Sequence, residues 1–407
     1  MTRAVPAPWS LSDPPDGFFD DPFPFYRQLR EEAPIATAPD GSILLSRHAD
    51  LSAVYRDAAA FSSDKKVEFA PKYGDTPLFA HHTTSLVFND DPYHARVRKR
   101  LVGALNPRAL AVLAEALGPY CGTLLDRFAD AGGGDAIENY AAAIPVRVIG
   151  DMLGVPEHDR GPLRGWSLAI LGALEPQPSP ERLALGNTAV GDFSAYLADL
   201  IEARHRAPGD PERDLLTRLI AGEGDAALTP AELIHNAIFL LNAGHETTSN
   251  LIGSALHILA TRADVRRTLI ADDAAVTDFV EEVLRFESPN QLGNRRALRG
   301  TQIAGVPVAA GTQITLVIGA ANRDPAAFDD PETFDPCRTP NRHLAFGAGP
   351  HQCAGLTLAR IEARIAIAAW LRRFPDFELA RPARWQRRVR FRGLSALEIR
   401  PASPSNI

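Results

Sequence analysis

Apolar residues recur at intervals of three and four along most of this chain, between positions filled by Arg, Glu and Ala. That period predicts amphipathic helices over 95–105, 109–130, 184–206, 212–221, 230–260, 275–286 and 355–373. Alternating, strand-like runs are short: 35–37 with 42–46, then 295–317, then 388–400. Gly305-Val306-Pro307 divides the second of these and predicts a hairpin. Gly- and Pro-rich stretches at 71–77, 132–134, 176–180, 208–211 and 222–224 read as loops, and about 1–20 as an irregular segment. The expected fold is mainly α with small β-sheets. Its length of 407 residues would allow two or three domains of about 150 residues. With no linker, repeat or low-complexity tract to divide it, one domain over 1–407 is expected.

The 230–260 helix carries the clearest signals. Thr229-Pro230-Ala231-Glu232 places a capping hydroxyl, a proline at the first helical position and a glutamate at the third. A helix of this length extends for roughly 45 Å, enough to cross a domain. Its middle reads Ala243-Gly244-His245-Glu246-Thr247-Thr248. Glycine weakens a helix by about 1 kcal/mol relative to alanine, and threonine hydroxyls bond back to earlier carbonyls. Such a weak point in a long buried helix implies close approach of something to its backbone.

Composition narrows the function classes. A net charge of -7 gives no global attraction to nucleic acid or to an acidic membrane surface. The Pro-rich start has no apolar core of a leader, and no run approaches 18 apolar residues, so neither secretion nor a membrane anchor is expected. Three cysteines, at 121, 337 and 353, show no zinc spacing and no disulfide framework, which fits a reducing cytoplasm. His81-His82 reads as a surface pair, with no third ligand at a metal spacing.

The most specific signal is His343-Leu-Ala-Phe346-Gly347-Ala-Gly349-Pro-His351-Gln-Cys353-Ala-Gly355. Glycines 347, 349 and 355 let the backbone turn around one sulfur, and an apolar helix follows at once. Amides and dipole at that helix N-terminus favour a thiolate. Phe346-x-x-Gly349-x-x-x-Cys353-x-Gly355 resembles the haem-binding signature of the cytochrome P-450 family. The resemblance extends from about residue 20 to 400, with one departure: only four residues separate Arg338 from His343.

The resemblance implies a haem b whose iron is bound by Cys353, with Phe346 packed beside the sulfur. A thiolate ligand pushes electron density toward the iron and favours O–O cleavage. Glu282-Val-Leu-Arg285 is similar to the family's Glu-x-x-Arg pair, joined by Arg338; their implied role is structural. Gly244, Glu246 and Thr247 resemble its oxygen-activation motif. Gly244 would leave room for dioxygen, Thr247 would hydrogen-bond it, and Glu246 would connect to a proton supply. His94 and Arg98, four apart on one helical face, Arg295 rather than Arg296, and His351 are the implied propionate partners.

The same resemblance places a substrate pocket against a 69–88 loop, the 166–174 region, Phe239, Asn242, Ala243, Gln291, Leu292 and Leu394. Asn242 and Gln291 bind either substrate or backbone and water. The implied function is a monooxygenase that hydroxylates, dealkylates or epoxidises a small organic molecule. Electrons from NAD(P)H would arrive through a separate ferredoxin and ferredoxin reductase; Arg96, Lys99, Arg100 and Arg364 read either as a basic docking patch for it or as an ordinary charged helix surface. A monomer is expected. Two rivals stand: a peroxide-driven peroxygenase of the same fold, and a non-catalytic haem sensor or carrier. Neither needs the Glu246–Thr247 pair.

Overall fold

The computed structural model describes residues 4–211, 214–222 and 227–402. Helices form where the apolar period predicts them, and cap chemistry sets their starts. Asn106 accepts from the Ala109 amide with Pro107 next in line, so the predicted 109–130 helix becomes Pro107–Asp130. Ser179 with Pro180 does the same for Pro180–Arg206, moving residue 180 out of the predicted loop. The remaining predicted segments appear as Tyr93–Ala104, Leu215–Ile220, Val276–Phe286 and Leu356–Arg373. Residues 212–213 of the predicted 212–221 helix, and 223–224 of the predicted 222–224 loop, lie outside the described residues.

The long helix runs from Pro230 to Thr261, 32 residues or about 48 Å. Its capping box is complete: the Thr229 hydroxyl accepts from the Glu232 amide at 3.2 Å, and the Glu232 carboxylate accepts from the Thr229 amide at 2.8 Å. It packs against the Ala143–Met152, Leu163–Gly172, Pro180–Arg206 and Leu356–Arg373 helices, and thus forms the axis of the main core.

A six-stranded sheet lies to one side, in the order Val5–Pro6, Ile35–Thr37, Ile43–Leu45, Gln313–Val317, Leu292–Ala297, Phe61–Ser62. Its first strand corrects the reading of 1–20 as wholly irregular: Val5 and Pro6 pair with Ala36 and Thr37. The hairpin also differs by a residue. Ala304 and Gly305, both at positive φ, make the two-residue turn, and Val306 and Pro307 lie in the returning strand. The C-terminal run supplies Leu394–Ala396 and Glu398–Pro401.

The largest correction falls on 69–88. The prolines there do not mark a loop; the chain forms two helices, Lys66–Tyr73 and Pro77–Thr84. Thr76 caps the second by accepting from the Phe79 amide, with Pro77 as its first residue, a signal present in the sequence. His81 and His82 consequently turn inward. Both are buried, against each other and against Phe69, Tyr73 and His235, rather than forming a surface pair.

Below the long helix, Glu282 and Arg285 are completely buried and joined by two hydrogen bonds of 2.7 and 2.8 Å. Arg285 also donates to the carbonyls of Asn322, Pro331 and Thr333. Glu282 accepts from Arg338, Asn341 and the Asp335 amide. Three carbonyls and one amide of the irregular 322–341 backbone are thus satisfied by this pair, so two helical side chains substitute for ladder bonds that segment lacks. Removing one partner would leave an uncompensated buried charge, at a cost of about 3–5 kcal/mol. Glu282→Ala is expected to lower unfolding free energy by that amount, measured by urea denaturation; a loss below about 1 kcal/mol, the range of an exposed pair, would refute this role.

Candidate active site

The cysteine loop is held by its own backbone. The Cys353 amide donates to the Phe346 carbonyl at 2.9 Å, Gly347 to Leu344 and Gln352 to Gly349. Gly347 and Gly349 have φ of 64° and 71°. At Gly349 a side chain would also strike the Tyr55 carbonyl, so glycine is required twice over. Gly355 differs from expectation: its φ of -94° is open to any residue, and a Cβ there meets nothing. Cys353 retains accessible surface, and the Leu356–Arg373 helix starts three residues later. Desolvation of its sulfur raises the thiol pKa; the Gly355 amide, Arg98 and Arg360 pull it back toward the thiolate.

Beside the loop, two imidazoles and two guanidiniums converge. His94 and His351 stack with ring centroids 3.8 Å apart. Arg295 is buried and lies over the Tyr55 ring at 5.1 Å. Its charge acts on His351, while its strand neighbour Arg296 pairs in register with Ser62 and Gln313. Burial first, then Arg295, His94 and Arg98, push the His351 pKa down to about 2. Among the described residues neither Arg98 nor Arg295 has an ion-pair partner, and His94 meets only the exposed Asp91 at 3.3 Å. A positive cluster this poor in carboxylates suits a ligand bearing its own anions.

The middle of the long helix keeps one stripe of accessible surface. Phe239, Ala243 and Thr247, four residues apart and so on one face, lie along it. Thr247 donates its hydroxyl to the Ala243 carbonyl at 2.7 Å. Gly244 borders this stripe, but a Cβ there would lie 2.8 Å from Ile149 Cδ1. The glycine therefore admits the Ala143–Met152 helix rather than opening room on the stripe. Glu246 is buried and ion-paired with Arg388, which also binds Glu175 at 3.0 Å and the Leu171 carbonyl. Burial raises the Glu246 pKa, Arg388 lowers it and Glu175 raises it again.

An open sulfur, an anion-seeking cluster and an open stripe at an acid–hydroxyl pair fit a haem. Cys353 would supply its axial ligand, and His94, Arg98, Arg295 and His351 would hold its propionates. Comparison with known proteins agrees. The family model for cytochrome P450 matches residues 180–383. The biotin biosynthesis cytochrome P450 of Bacillus subtilis (strain 168) is 34% identical, over 95% of this chain and 97% of its own. The 6-deoxyerythronolide B hydroxylase of Saccharopolyspora erythraea is 33% identical, over 95% and 97%. The chain belongs to the cytochrome P450 family. A solved structure of P450BioI in complex with hexadec-9Z-enoic acid ligated acyl carrier protein superposes with a TM-score of 0.90 at 33% identity, covering 95% of this chain and 100% of the other.

This P450 places several expected residues elsewhere. Leu292 packs into the N-terminal cluster with Phe18, Phe23 and Tyr26, and Leu394 into the main core. Gln291 donates to the Ser288 carbonyl and lies in a cleft with Tyr26, Arg388 and Arg392. Asn242 is buried with its carbonyl oxygen unpartnered. Trp166 stacks on Phe193 at 4.9 Å. Phe346 is half-buried against His343 and under the Arg360 guanidinium at 4.7 Å. Arg96 leaves the predicted basic patch, because it is tied to Glu232 and to the Ala227 carbonyl.

Sequence reading missed two braces. Glu281 accepts two bonds from Arg360 and one from His343; burial alone would raise its pKa, but these partners hold it at about 2. Arg388, the second, stands in Arg387-Arg388-Val389-Arg390-Phe391-Arg392, where the alternation signals a strand-like segment with one cationic side. Arg295→Leu and His351→Ala are each expected to speed haem loss by about tenfold or more, the worth of one charge-assisted bond. Transfer of haem to an apoglobin acceptor measures this; unchanged rates in both variants would remove the propionate assignment.

Proposed function

We propose that this P450 monooxygenase oxidises a small, largely apolar organic substrate by hydroxylation, dealkylation or epoxidation, with electrons from NAD(P)H delivered by a separate ferredoxin and its reductase. The observation that carries this reading is the buried acid beside an accessible hydroxyl, Glu246 and Thr247, at the accessible stripe in the middle of the long helix. A thiolate-bound haem supplies reductive activation of dioxygen. The chain's own residues must then deliver protons and exclude bulk water.

Glu246 suits proton handling. Burial alone favours its neutral form and Arg388 its ionised form, so opposing effects poise the carboxyl for exchange. Its second oxygen has no partner and is free to bond a water or a hydroxyl. Neither a peroxygenase nor a haem carrier needs such a group, which favours the monooxygenase over both rivals. The relatives' names support oxidation of an organic substrate: one is a 6-deoxyerythronolide B hydroxylase, another was solved with an acyl carrier protein ligated to hexadec-9Z-enoic acid. Lys99, on the helix that carries His94 and Arg98, and Arg364, on the helix that follows Cys353, are both exposed and support docking of an acidic ferredoxin.

In Thr247→Ala, reduced oxygen is expected to be diverted to hydrogen peroxide, with most product coupling lost while NAD(P)H consumption continues. Measured peroxide per NAD(P)H decides it, and an unchanged ratio would count against the role of this hydroxyl. Removing Arg388 leaves Glu246 with burial and Glu175, both of which raise its pKa. The ionisation that governs coupling should accordingly move to higher pH in Arg388→Gln. A pH profile of product per NAD(P)H that superposes on the parent's would show that Glu246 does not set that limb.

A further inference from the structure

The cations beside Glu246 outnumber their carboxylates. Arg388 and Arg390 are two apart and reach the same turn: Arg388 bonds the Leu171 carbonyl and Glu175, and Arg390 bonds the Leu174 carbonyl at 3.2 Å. Between them Val389 points the other way, into the N-terminal cluster. Lys72, from the Lys66–Tyr73 helix, meets that turn from a third direction and donates to the Glu175 carbonyl at 2.7 Å. Three cations thus meet at the turn that carries Glu175; Arg388 engages Glu175 and Glu246, and the nearby Glu68 is paired with Lys65. Lys72 and Arg390 are left with neutral acceptors. Arg390 donates to the carbonyls of Leu174 and Leu292 and to the Asn294 side chain. Among the described residues neither cation forms an ion pair.

His82 completes the group. It is buried with both ring nitrogens unpartnered, and its ring lies 5.3 Å from that of Tyr73, the residue after Lys72. Burial, then Lys72 and Arg390, lower its pKa to about 3, so the ring is neutral and carries one N–H. Lys72 shows the same crowding: burial and then Arg390 bring it down to about 8, against the smaller pull of Glu68 and Glu175. A guanidinium has five N–H donors and an ammonium three. The bonds above use three and one, so Arg390 and Lys72 each keep two donors, and His82 adds another.

We propose that Lys72, Arg390 and His82 form the binding site for a carboxylate on the substrate, so that this enzyme selects anionic apolar molecules over their neutral counterparts. The inference rests on the pocket lying along the Phe239–Ala243–Thr247 stripe, to which Arg388 is tied through Glu246 and Arg390 through the turn that both arginines share. A carboxylate here would neutralise the surplus charge and accept bonds from both cations, and charge-assisted bonds of this kind are the strong ones. Its apolar remainder would be left to the stripe.

The test uses the ferric holoenzyme and two matched series of iron-binding probes, ω-imidazolyl alkanoic acids and ω-imidazolyl alkanols, each of graded chain length. The imidazole anchors the probe and its Soret shift reports binding, while the far end samples the proposed site. At the best-matched length the acid should bind about tenfold or more tightly than the alkanol. Lys72→Met and Arg390→Gln should each remove most of that preference and leave alkanol binding and the ferrous–CO thiolate band in place. Lys72 is the safer variant, since it gives up one bond to a single carbonyl. If alkanols bind and no acid of any length does better, or if the preference survives both substitutions, the carboxylate site is wrong and the pocket stands. If neither series shifts the Soret band, the pocket assignment falls and this inference with it.

Discussion

The Glu282 carboxylate is the point on which the sulfur side of the molecule depends. It is wholly buried, and it gathers Arg285 from its own helix, Arg338 and Asn341 from the 322–341 segment, and the amide of Asp335. Arg285 in turn holds the carbonyls of Asn322, Pro331 and Thr333. The segment from 322 to 348 is mostly without regular structure, and chain of this kind is normally kept at the surface by its unpaired backbone groups. Here two charges satisfy those groups from within. Asn322 carries the order onward: its side-chain oxygen accepts from the Leu344 amide at 2.7 Å, immediately before the cysteine loop. The position of Cys353 is therefore an electrostatic consequence of a helix that does not contain it.

The opposite side is organised by charge that is only partly balanced. Arg388 draws Glu175 and Glu246 together across three separate elements, and burial makes each of those contacts strong, because little water remains to screen them. The same burial makes an unmatched cation costly. A protein that keeps Lys72 and Arg390 without counter-ions beside that bridge accepts a penalty in the folded state, and such penalties are typical of functional sites rather than of cores.

Features carried by local patterns were readable in advance. The long helix announced itself through Thr229, Pro230 and Glu232, and the cysteine loop through glycines 347 and 349, whose backbone angles no other residue adopts easily. The choice of Arg295 over Arg296 followed from the Arg-x-Ala pattern and the spacing to Gly305; in the structure Arg295 is buried and lies over the Tyr55 ring. What escaped notice depended on distance. Prolines at 71 and 77 look the same to a sequence reader whether they break a helix or start one; the Thr76 cap and packing on Leu78 decided it. Gly244 was read for what it faces along its own helix, yet the decisive neighbour, Ile149, lies about a hundred positions away. Arg388 gives no sign in the sequence that its partner is Glu246, 142 residues earlier.

The hydroxyl of Thr247 has a single proton, and the structure commits it to the Ala243 carbonyl one turn back. Toward the open stripe it consequently presents lone pairs alone. In this arrangement Thr247 does not donate to a molecule arriving on that face; it receives. The protonated partner must be the visitor, or a water between them, and the neighbouring carboxyl of Glu246 is a group with a proton to exchange. Acid and hydroxyl are thus not two versions of the same device: one holds the proton, and the other fixes the place where it is to be carried.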